Sequence, residues 1–288
     1  MATHVTDDTY ALDARMLGMP GAMSPYVVDA DEPVVVDPGP AAGVEHVREG
    51  LAEVGVDPDD VAYLLSTHVH LDHAGAVGDL LASCPNATVV VHERGVEYLT
   101  DPVRRDRLFE SARRAVGDDV ASGYGEPGLV PRERCRVVTG GERLDCGDRT
   151  LELVHAPGHA PHQVCAWDDR TGAVFAGDAA GMWLFDTLLP TTPAPDFDLD
   201  ASLDTVEALR DLDPELVCYG HYGARADANA ALDEYTEVLP EWVDAVERAA
   251  AEYDDADEIV DALSRSWHSP TIERDVQGVL RTLEGDAD

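Results

Sequence analysis

Residues 61–75 have the sequence VAYLLSTHVHLDHAG, in which an apolar run leads directly into three histidines and an aspartate. The apolar part predicts a buried strand. Side chains alternate along an extended backbone, so His68 and His70 are expected to point the same way at the carboxyl end of that strand. Asp72 and His73 enter the next helix and turn a second pair of ligands toward the same space. Imidazole and carboxylate donors together predict a site for Zn²⁺, Fe or Mn.

Three further candidate ligands follow apolar runs later in the chain. They are His159, Asp178 and His221. A glycine immediately precedes each of them, as expected where the backbone turns sharply and approaches a metal closely. One ion cannot use all seven candidates, so the sequence predicts two coordination spheres.

The rest of the chain alternates between strand-like and helical stretches. Strands are predicted at 26–28, 33–36, 61–66, 87–91, 136–138, 150–154, 163–167, 173–176 and 216–219. Helices are predicted at 42–54, 76–83, 103–116 and 199–212, and again in the acidic, alanine-rich tail from Ala224 onward. The Gly- and Pro-rich stretch 117–131 predicts a loop. Composition and periodicity alone indicate a mixed α and β protein.

The candidate ligands occur in the order and spacing of a known family. The HxHxDH spacing of His68, His70, Asp72 and His73, with the later His, Asp and His, resembles the metallo-β-lactamase superfamily. The resemblance begins at Asp37, in a DPG variant of the family's DTG motif, and extends through His221. It implies an α/β fold, a four-layer αββα sandwich with the metals at one edge of its two sheets. We expect a catalytic domain over 1–223 and a helical C-terminal extension, 224–288, packed on it.

The resemblance also implies a role for each ligand. It assigns one ion to His68, His70 and His159, the other to Asp72, His73 and His221, and the bridging position to Asp178. Asp37 is expected behind the ligands, where it orients one of them. Two divalent ions follow, with Zn²⁺ favoured and Fe or Mn as alternatives. A hydroxide shared by the two ions would be the nucleophile, oriented by Asp72 and stabilised by Asp178.

The expected activity is hydrolysis of a small ester, thioester or lactone, distantly similar to glyoxalase II. Two differences argue against identifying the chain as glyoxalase II itself. Many thioesterase relatives have a histidine where this chain has Gln163. In glyoxalase II, basic residues of the C-terminal region bind anionic glutathione, whereas the corresponding tail of this chain is acidic, with only five arginines.

A substrate pocket is expected beside the ligands. His162 is a candidate for its lining. Trp183 and Phe185, which follow Asp178 closely, are candidates for an apolar wall or lid, with ordinary core packing as the equal alternative. The arginine-rich stretch from Arg104 to Arg114 is interpreted as a solvated helix face that pairs with carboxylates, with attraction of an anionic substrate as the alternative.

Two other reactions of the same superfamily stay open. Phosphodiester cleavage suits the same metals, but 58 acidic residues against 20 basic ones disfavour a nucleic-acid partner. A sulfur dioxygenase with a single iron is the second alternative. Diiron oxygen reductases are disfavoured because they usually place a carboxylate where this chain has His70.

The overall composition bears on the environment of the protein. The net charge is −38, every basic residue is arginine, and the carboxylates are dispersed, as in salt-accumulating halophiles; an acidic mesophilic protein is the alternative. Five widely spaced cysteines predict no disulfide framework. No membrane span or signal peptide is predicted. We expect a cytoplasmic enzyme with a small-molecule substrate, in which the helical C-terminal segment could pair with a second subunit as a homodimer.

Overall fold

The first half of the chain forms a seven-stranded sheet in a computed structural model that describes residues 1–285. Its strands lie side by side in chain order: β1 Thr3–Thr6, β2 Thr9–Ala11, β3 Tyr26–Val28, β4 Val34–Val36, β5 Tyr63–Leu65, β6 Thr88–His92 and β7 Cys135–Val138. Strands β1 to β4 pair antiparallel and β4 to β7 pair parallel. Parallel neighbours need crossover connections, and helices supply them here.

The helices of this half lie in the three crossovers between parallel strands. They are α1 Val44–Val54, α2 Leu71–Ala74, α3 Val77–Ser83, α4 Val96–Thr100, α5 Pro102–Val116 and α6 Asp118–Tyr124. Single turns of 3₁₀ helix occur at Met16–Gly18, Ala41–Gly43 and Arg132–Arg134. Because β4 to β7 run in one direction, the segments that leave their carboxyl ends all emerge at the same edge of the sheet.

The second half forms a six-stranded sheet. Its strands are β8 Arg143–Asp145, β9 Thr150–His155, β10 Val164–Asp168, β11 Ala173–Gly177, β14 Leu216–Tyr219 and β15 Gly223–Arg225. They lie in the order β15-β14-β11-β10-β9-β8, and only β11 and β14 pair parallel. Between these two strands come a separate hairpin, β12 Met182–Leu184 and β13 Thr187–Leu189, and the helix α7 Leu199–Arg210.

Three further helices lie on the outer face of the second sheet. They are α8 Ala228–Ala250, α9 Ala256–Leu263 and α10 Ile272–Gly285. Leu232, Tyr235 and Trp242 of α8 are buried in one apolar cluster with Val174 and Val217 of the sheet. The predicted helical tail is therefore part of a core. Strand β15 spans the expected boundary between residues 223 and 224, and the division into a catalytic domain and an extension stays a prediction.

Apolar clusters on both faces of each sheet define four layers. Tyr26 and Leu65 of the first sheet meet Leu153 and Phe175 of the second between the sheets. On the far side of the first sheet, Val35, Val89 and other strand residues pack against α1 and α3, with Leu51 and Leu80 as helix contacts. With α7 to α10 covering the second sheet, the layers are α, β, β and α. The predicted sandwich is confirmed.

One predicted loop was wrong. Within 117–131 the chain forms the helix α6, with Tyr124 buried at its end. Gly117 and Gly125, both with positive φ, flank this helix and mark its two ends. A short helix enclosed by glycines has the composition of a loop, which is why periodicity did not reveal it. None of the helices in residues 1–285 is both long enough and apolar enough to cross a membrane.

Candidate metal centre

The candidate ligands lie where strands of both sheets end. His68 and His70 follow β5, Asp178 directly follows β11, and His221 follows β14. His159 lies between β9 and β10, while Asp72 and His73 lie in α2. All seven side chains meet at one edge of the sandwich. Six of these residues are buried, and His70 is half-buried.

Two groups of three ligands form at this edge. The candidate ligand atoms of His68, His70 and His159 all lie within 4.8 Å of one another. His159 Nε2 is 3.1 Å from His70 Nδ1. The same 4.8 Å limit holds for Asp72, His73 and His221. These are the two triads that the family resemblance implied for the two ions.

Asp178 lies between the two triads. Its Oδ1 is 3.3 Å from His73 Nε2 and 3.7 Å from His221 Nε2. Its Oδ2 is 3.6 Å from His159 Nε2. Each oxygen therefore faces a different triad, which is the geometry that a bridging carboxylate requires.

Asp37 stands behind the ligands. Its atoms, with those of His68 and His73, also satisfy the 4.8 Å grouping. However, Asp37 Oδ1 accepts a hydrogen bond from the Thr67 backbone at 2.7 Å, and Oδ2 accepts hydrogen bonds from the Thr67 hydroxyl at 2.7 Å and from His73 Nδ1 at 3.0 Å. Both oxygens are thus engaged, and Asp37 is placed to orient His73 rather than to bind an ion.

Acceptors behind three other histidines fix their tautomers. His159 Nδ1 lies 3.1 Å from the Thr191 carbonyl and His221 Nδ1 lies 2.8 Å from the Ala22 carbonyl. His68 Nδ1 lies 3.0 Å from the Thr67 hydroxyl, whose own proton goes to Asp37. Each Nδ1 must then carry the proton and donate it, which directs the lone pair of Nε2 toward the centre.

The atoms that face the centre lack other partners. His68 Nε2, His73 Nε2 and Asp178 Oδ1 are buried and make no hydrogen bond within the described part of the chain. A buried polar group without a partner costs about 1–3 kcal/mol. Several such atoms at one point fit a cation, and a set rich in imidazole with two carboxylates fits a pair of divalent ions.

Electrostatics favour cation binding in the same place. Burial lowers the pKa of His68 and of His70 well below its usual range, and it lowers the pKa of His159 to about 4, so these rings are neutral, as ligands must be. Burial also acts to lower the pKa of His73, but Asp178 and Asp72 outweigh it and raise that pKa. The position that draws a proton onto His73 will also draw a metal cation, and the two compete.

Two glycines allow the ligands to approach closely. A Cβ at Gly220 would collide with the ring of His73. Gly177 has φ +53° and lies against the Thr67 hydroxyl, so a side chain there would be both strained and crowded. These contacts agree with the close approach that the sequence predicted for glycines next to ligands.

A cavity of about 480 Å³ opens onto the centre beside His70 and Asp72. His162 lines this cavity, and its role toward a substrate stays a prediction. Trp183 and Phe185 do not line it, so the expected apolar wall is not formed by them. Trp183 packs against the core on the outer face of the second sheet, which was the alternative. Phe185 is 91% exposed at the turn of the hairpin β12–β13, and the Trp183 ring lies 4.4 Å from the Arg225 guanidinium carbon.

The hairpin supports the centre in another way. The Trp183 backbone N–H donates a hydrogen bond to the His221 carbonyl at 2.7 Å, and Tyr222 N–H donates one to the Trp183 carbonyl at 2.7 Å. The backbone of Trp183 therefore lies near the centre, whereas the side chains of Trp183 and Phe185 do not line the cavity.

Sequence reasoning missed several residues at the centre. Thr67 and Thr191 support ligands, and Tyr124 lines the cavity. Thr67 is adjacent to the first histidine, which was an available signal. Tyr124 lies in the stretch interpreted as a loop, and nothing in the local sequence of Thr191 or Tyr124 distinguished them.

The chain resembles proteins of one superfamily in sequence. The sequence model described as Metallo-beta-lactamase superfamily matches residues 20–221. The metallo-beta-lactamase fold-containing protein ST1585 of Sulfurisphaera tokodaii is 31% identical over 165 residues, covering 57% of this chain and 62% of that protein. The N-acyl homoserine lactonase AttM of Azorhizobium caulinodans is 38% identical over 112 residues, covering 38% of this chain and 37% of the lactonase. A putative diflavin flavoprotein of Nostoc is 30% identical over 129 residues, 44% of this chain and 18% of that protein.

The match therefore spans less than two thirds of each of these three curated relatives. Solved structures are similar over more of their length. The crystal structure of ST1585 has a TM-score of 0.72 at 22% identity and covers 94% of this chain and 98% of that chain. Protein TTHA1429 of Thermus thermophilus has a TM-score of 0.68 at 22% identity, with 92% and 89% covered. These likenesses show the fold, and because the sequence model spans residues 20–221, the chain belongs to the metallo-β-lactamase superfamily.

Proposed function

We propose that the chain is a dinuclear metal-dependent hydrolase that acts on a small ester, thioester or lactone. The observation that carries the proposal is the pair of triads on either side of Asp178, with buried, unpartnered ligand atoms, at the end of a cavity. Members of this superfamily are mostly hydrolases, which supports the reaction type. The bond that is cleaved is the part we propose.

The residues of the two triads would hold the two ions, with Asp178 between them. Five imidazoles and two carboxylates favour Zn²⁺, and Fe or Mn would fit the same donors. Two divalent ions, when bound, supply a deprotonated water as nucleophile and polarise the oxygen of the bond under attack.

The chain's own residues would position the reactants. Asp72 belongs to one triad and also lines the cavity, so it is placed to orient the attacking water. Tyr124 lines the cavity too, and burial, with Asp72 as a further cause, raises the pKa of its phenol. Its hydroxyl therefore stays protonated and can donate a hydrogen bond to the substrate.

A carbonyl substrate is preferred over the alternatives for two reasons. One relative of known name is an N-acyl homoserine lactonase, aligned over 112 residues that make up 38% of this chain. Nuclease activity requires a polyanionic polymer to approach a protein of net charge −38. The proposal also includes a small-molecule substrate, a cytoplasmic location and a homodimer formed through the C-terminal helices. Light scattering in molar salt would test the homodimer.

Metal content and turnover in paired variants test the function. The protein is purified in molar KCl, and wild type, Asp178→Ala and Asp244→Ala are compared by ICP mass spectrometry and against thioester, lactone and phosphodiester panels. Asp244 is exposed on α8 and serves as the matched control. We expect close to two ions and carbonyl-ester hydrolysis in wild type and control, and loss of both in Asp178→Ala with its circular dichroism retained.

Two results would overturn the proposal. Wild type with one iron, no hydrolysis and oxygen uptake with a persulfide would identify a dioxygenase instead. Phosphodiester cleavage without hydrolysis of any thioester or lactone would show that the enzyme cleaves a phosphodiester bond and not the carbonyl bond that we propose.

A further inference from the structure

Positive charge is concentrated in the cavity beside the metal centre. Five of the chain's 20 arginines line it, whereas only two of its 58 acidic residues do, Asp72 and Asp196. The arginines are Arg94, Arg104, Arg107, Arg114 and Arg274. A dispersed acidic surface would produce the opposite ratio, so the cavity differs in charge from the rest of the molecule.

Helix α5 supplies three of these arginines from one face. Arg104, Arg107 and Arg114 are three and seven positions apart, which places them on the same side of a helix. Arg105 and Arg113 lie on other sides of α5 and do not line the cavity. The arginines of α5 therefore lie on two sides of the helix, one that lines the cavity and one that does not.

Ion pairing differs between these two sides. Arg113 pairs with Glu110 at 3.0 Å and with Asp118 at 2.8 Å. Within the described part of the chain, Arg107 and Arg114 have no carboxylate within ion-pair distance, and Arg104 has one exposed pair at 3.5 Å with Glu97. The charge that faces the cavity is thus largely uncompensated, while the charge on the outer side is paired.

A fourth cavity arginine comes from the C-terminal helices. Arg274 of α10 has a side chain only 12% exposed, and among the described residues its one carboxylate contact is with Asp275 at 3.4 Å. Its Nε is buried and has no hydrogen-bond partner among the described residues. Burial acts to lower the pKa of Arg274, but Asp275, Asp72 and Asp178 raise it, so Arg274 keeps its charge near the metal ligands.

His162 provides a second buried polar atom without a partner. The residue is 8% exposed and lines the cavity, and its Nε2 makes no hydrogen bond within residues 1–285. Burial lowers the pKa of His162 to about 3, so the ring is neutral. An unpartnered imidazole and an unpartnered guanidinium nitrogen in one cavity both call for a polar ligand group.

We infer that this cavity binds an anionic group of the substrate, which carries at least two negative charges. The inference rests on the proposed function, because the anion holds the substrate while its carbonyl reaches the metal centre. Guanidinium groups bind carboxylates and phosphates through paired hydrogen bonds, so di- or tricarboxylates and phosphorylated compounds share the required chemistry. The acidic surface of the protein would repel such compounds everywhere except at this cavity.

Thioesters that differ only in charge test the inference. S-acetyl derivatives of mercaptosuccinate, 3-mercaptopropionate and 3-mercaptopropionamide carry two, one and no negative charges on the thiol side. S-succinyl and S-propionyl thioesters of one neutral thiol vary the charge on the acyl side. The proteins compared are wild type, the double variant Arg107→Gln/Arg114→Gln and the control Arg113→Gln, all loaded with metal.

We expect wild type and the control to prefer the most negatively charged member of at least one series, which is the dianion on the thiol side and the S-succinyl monoanion on the acyl side, with the preference in KM more than in kcat. In the double variant the ratio of kcat/KM for dianionic to neutral substrate should fall by about tenfold per arginine removed. Equal kcat/KM for charged and neutral substrates in wild type would overturn the inference and leave the proposed function standing. An undiminished ratio in the double variant would also overturn it.

A binding measurement separates failure of the inference from failure of the proposed function. Calorimetric titration of the three proteins with succinate, inorganic phosphate and succinamide requires no turnover. We expect at least one anion to bind wild type and Arg113→Gln more tightly than the double variant, and the better anion distinguishes carboxylates from phosphates. If no substrate is hydrolysed but this pattern holds, the proposed function fails alone; equal binding in all three proteins overturns the inference.

Discussion

The metal-ligand cluster and the arginine-lined wall lie in the same cavity but are built in opposite ways. The cluster lies at strand ends and in α2, is buried except for the half-buried His70, and has hydrogen-bond partners behind four of its histidines. The wall consists of long side chains from α5 and α10 together with Arg94, and within residues 1–285 most of its charges have no carboxylate partner. The cluster is therefore preorganised for one task, whereas the wall can adapt to what binds. Substitutions in the cluster should abolish metal binding, and those in the wall should change substrate choice.

The largest effect is expected from removing a ligand that also contacts a buried carboxylate. His73→Ala deletes a ring that is 0% exposed and leaves Asp37 without its 3.0 Å partner. Loss of one member of a buried charged pair costs about 3–5 kcal/mol, and loss of a ligand should lower kcat/KM by more than about 100-fold. Denaturant unfolding and ICP mass spectrometry measure the two effects. His268→Ala, at an exposed position, is the control; normal metal content in His73→Ala would contradict the proposed triads.

A smaller effect is expected behind the ligands. Asp37 has φ +46°, a conformation that asparagine also tolerates, so Asp37→Asn changes charge with little backbone cost. The amide can no longer accept every hydrogen bond from Thr67 and His73, and we expect metal affinity to fall about 10–100-fold. A chelator competition measures the affinity. Unchanged affinity would show that Asp37 does not orient His73.

The wall should respond in selectivity rather than in metal binding. Arg274→Gln removes the buried positive charge of the wall, and we expect the dianionic-to-neutral ratio of kcat/KM to fall about tenfold. Arg281→Gln, on the exposed side of the same helix, is the control. If Arg274→Gln loses metal instead, the distinction between cluster and wall breaks down.

The smallest expected effect is that of salt on the wall. Molar KCl shortens the Debye length to about 3 Å and screens exposed charges far more than buried ones. The contribution of Arg107 and Arg114 should therefore weaken as salt rises, while that of the 12%-exposed Arg274 persists. Wild type should keep part of its preference in molar salt, and Arg274→Gln should lose nearly all of it. Equal salt sensitivity in both proteins would assign the preference to the exposed arginines alone.

Most of the cluster could be predicted from sequence because its information is local. The spacing from His68 to His73 fixes four side chains on one strand end and the following turn of helix. The glycine before His221 indicated a close approach, and Gly220 does lie against the ring of His73. The order of motifs indicated the family, and with it the sandwich that brings the remaining ligands to the same edge.

The wall could not be predicted in this way. The periodicity of α5 shows that Arg104, Arg107 and Arg114 share a face, but it does not show whether that face meets solvent or a cavity. For the same reason, Trp183 and Phe185 follow Asp178 in sequence yet lie outside the cavity, because the turn of their hairpin directs them away.

The sequence by itself determined which residues bind metal in our proposal and which elements carry them, because strand and helix periods act over a few residues. Only the tertiary structure decided that α10 packs against α5 and brings Arg274 to the cavity that α5 lines. Such contacts depend on which apolar faces of distant elements are buried together. A repeat within one element contains no information about its neighbours, so the charge of the cavity emerged only once the layers were assembled.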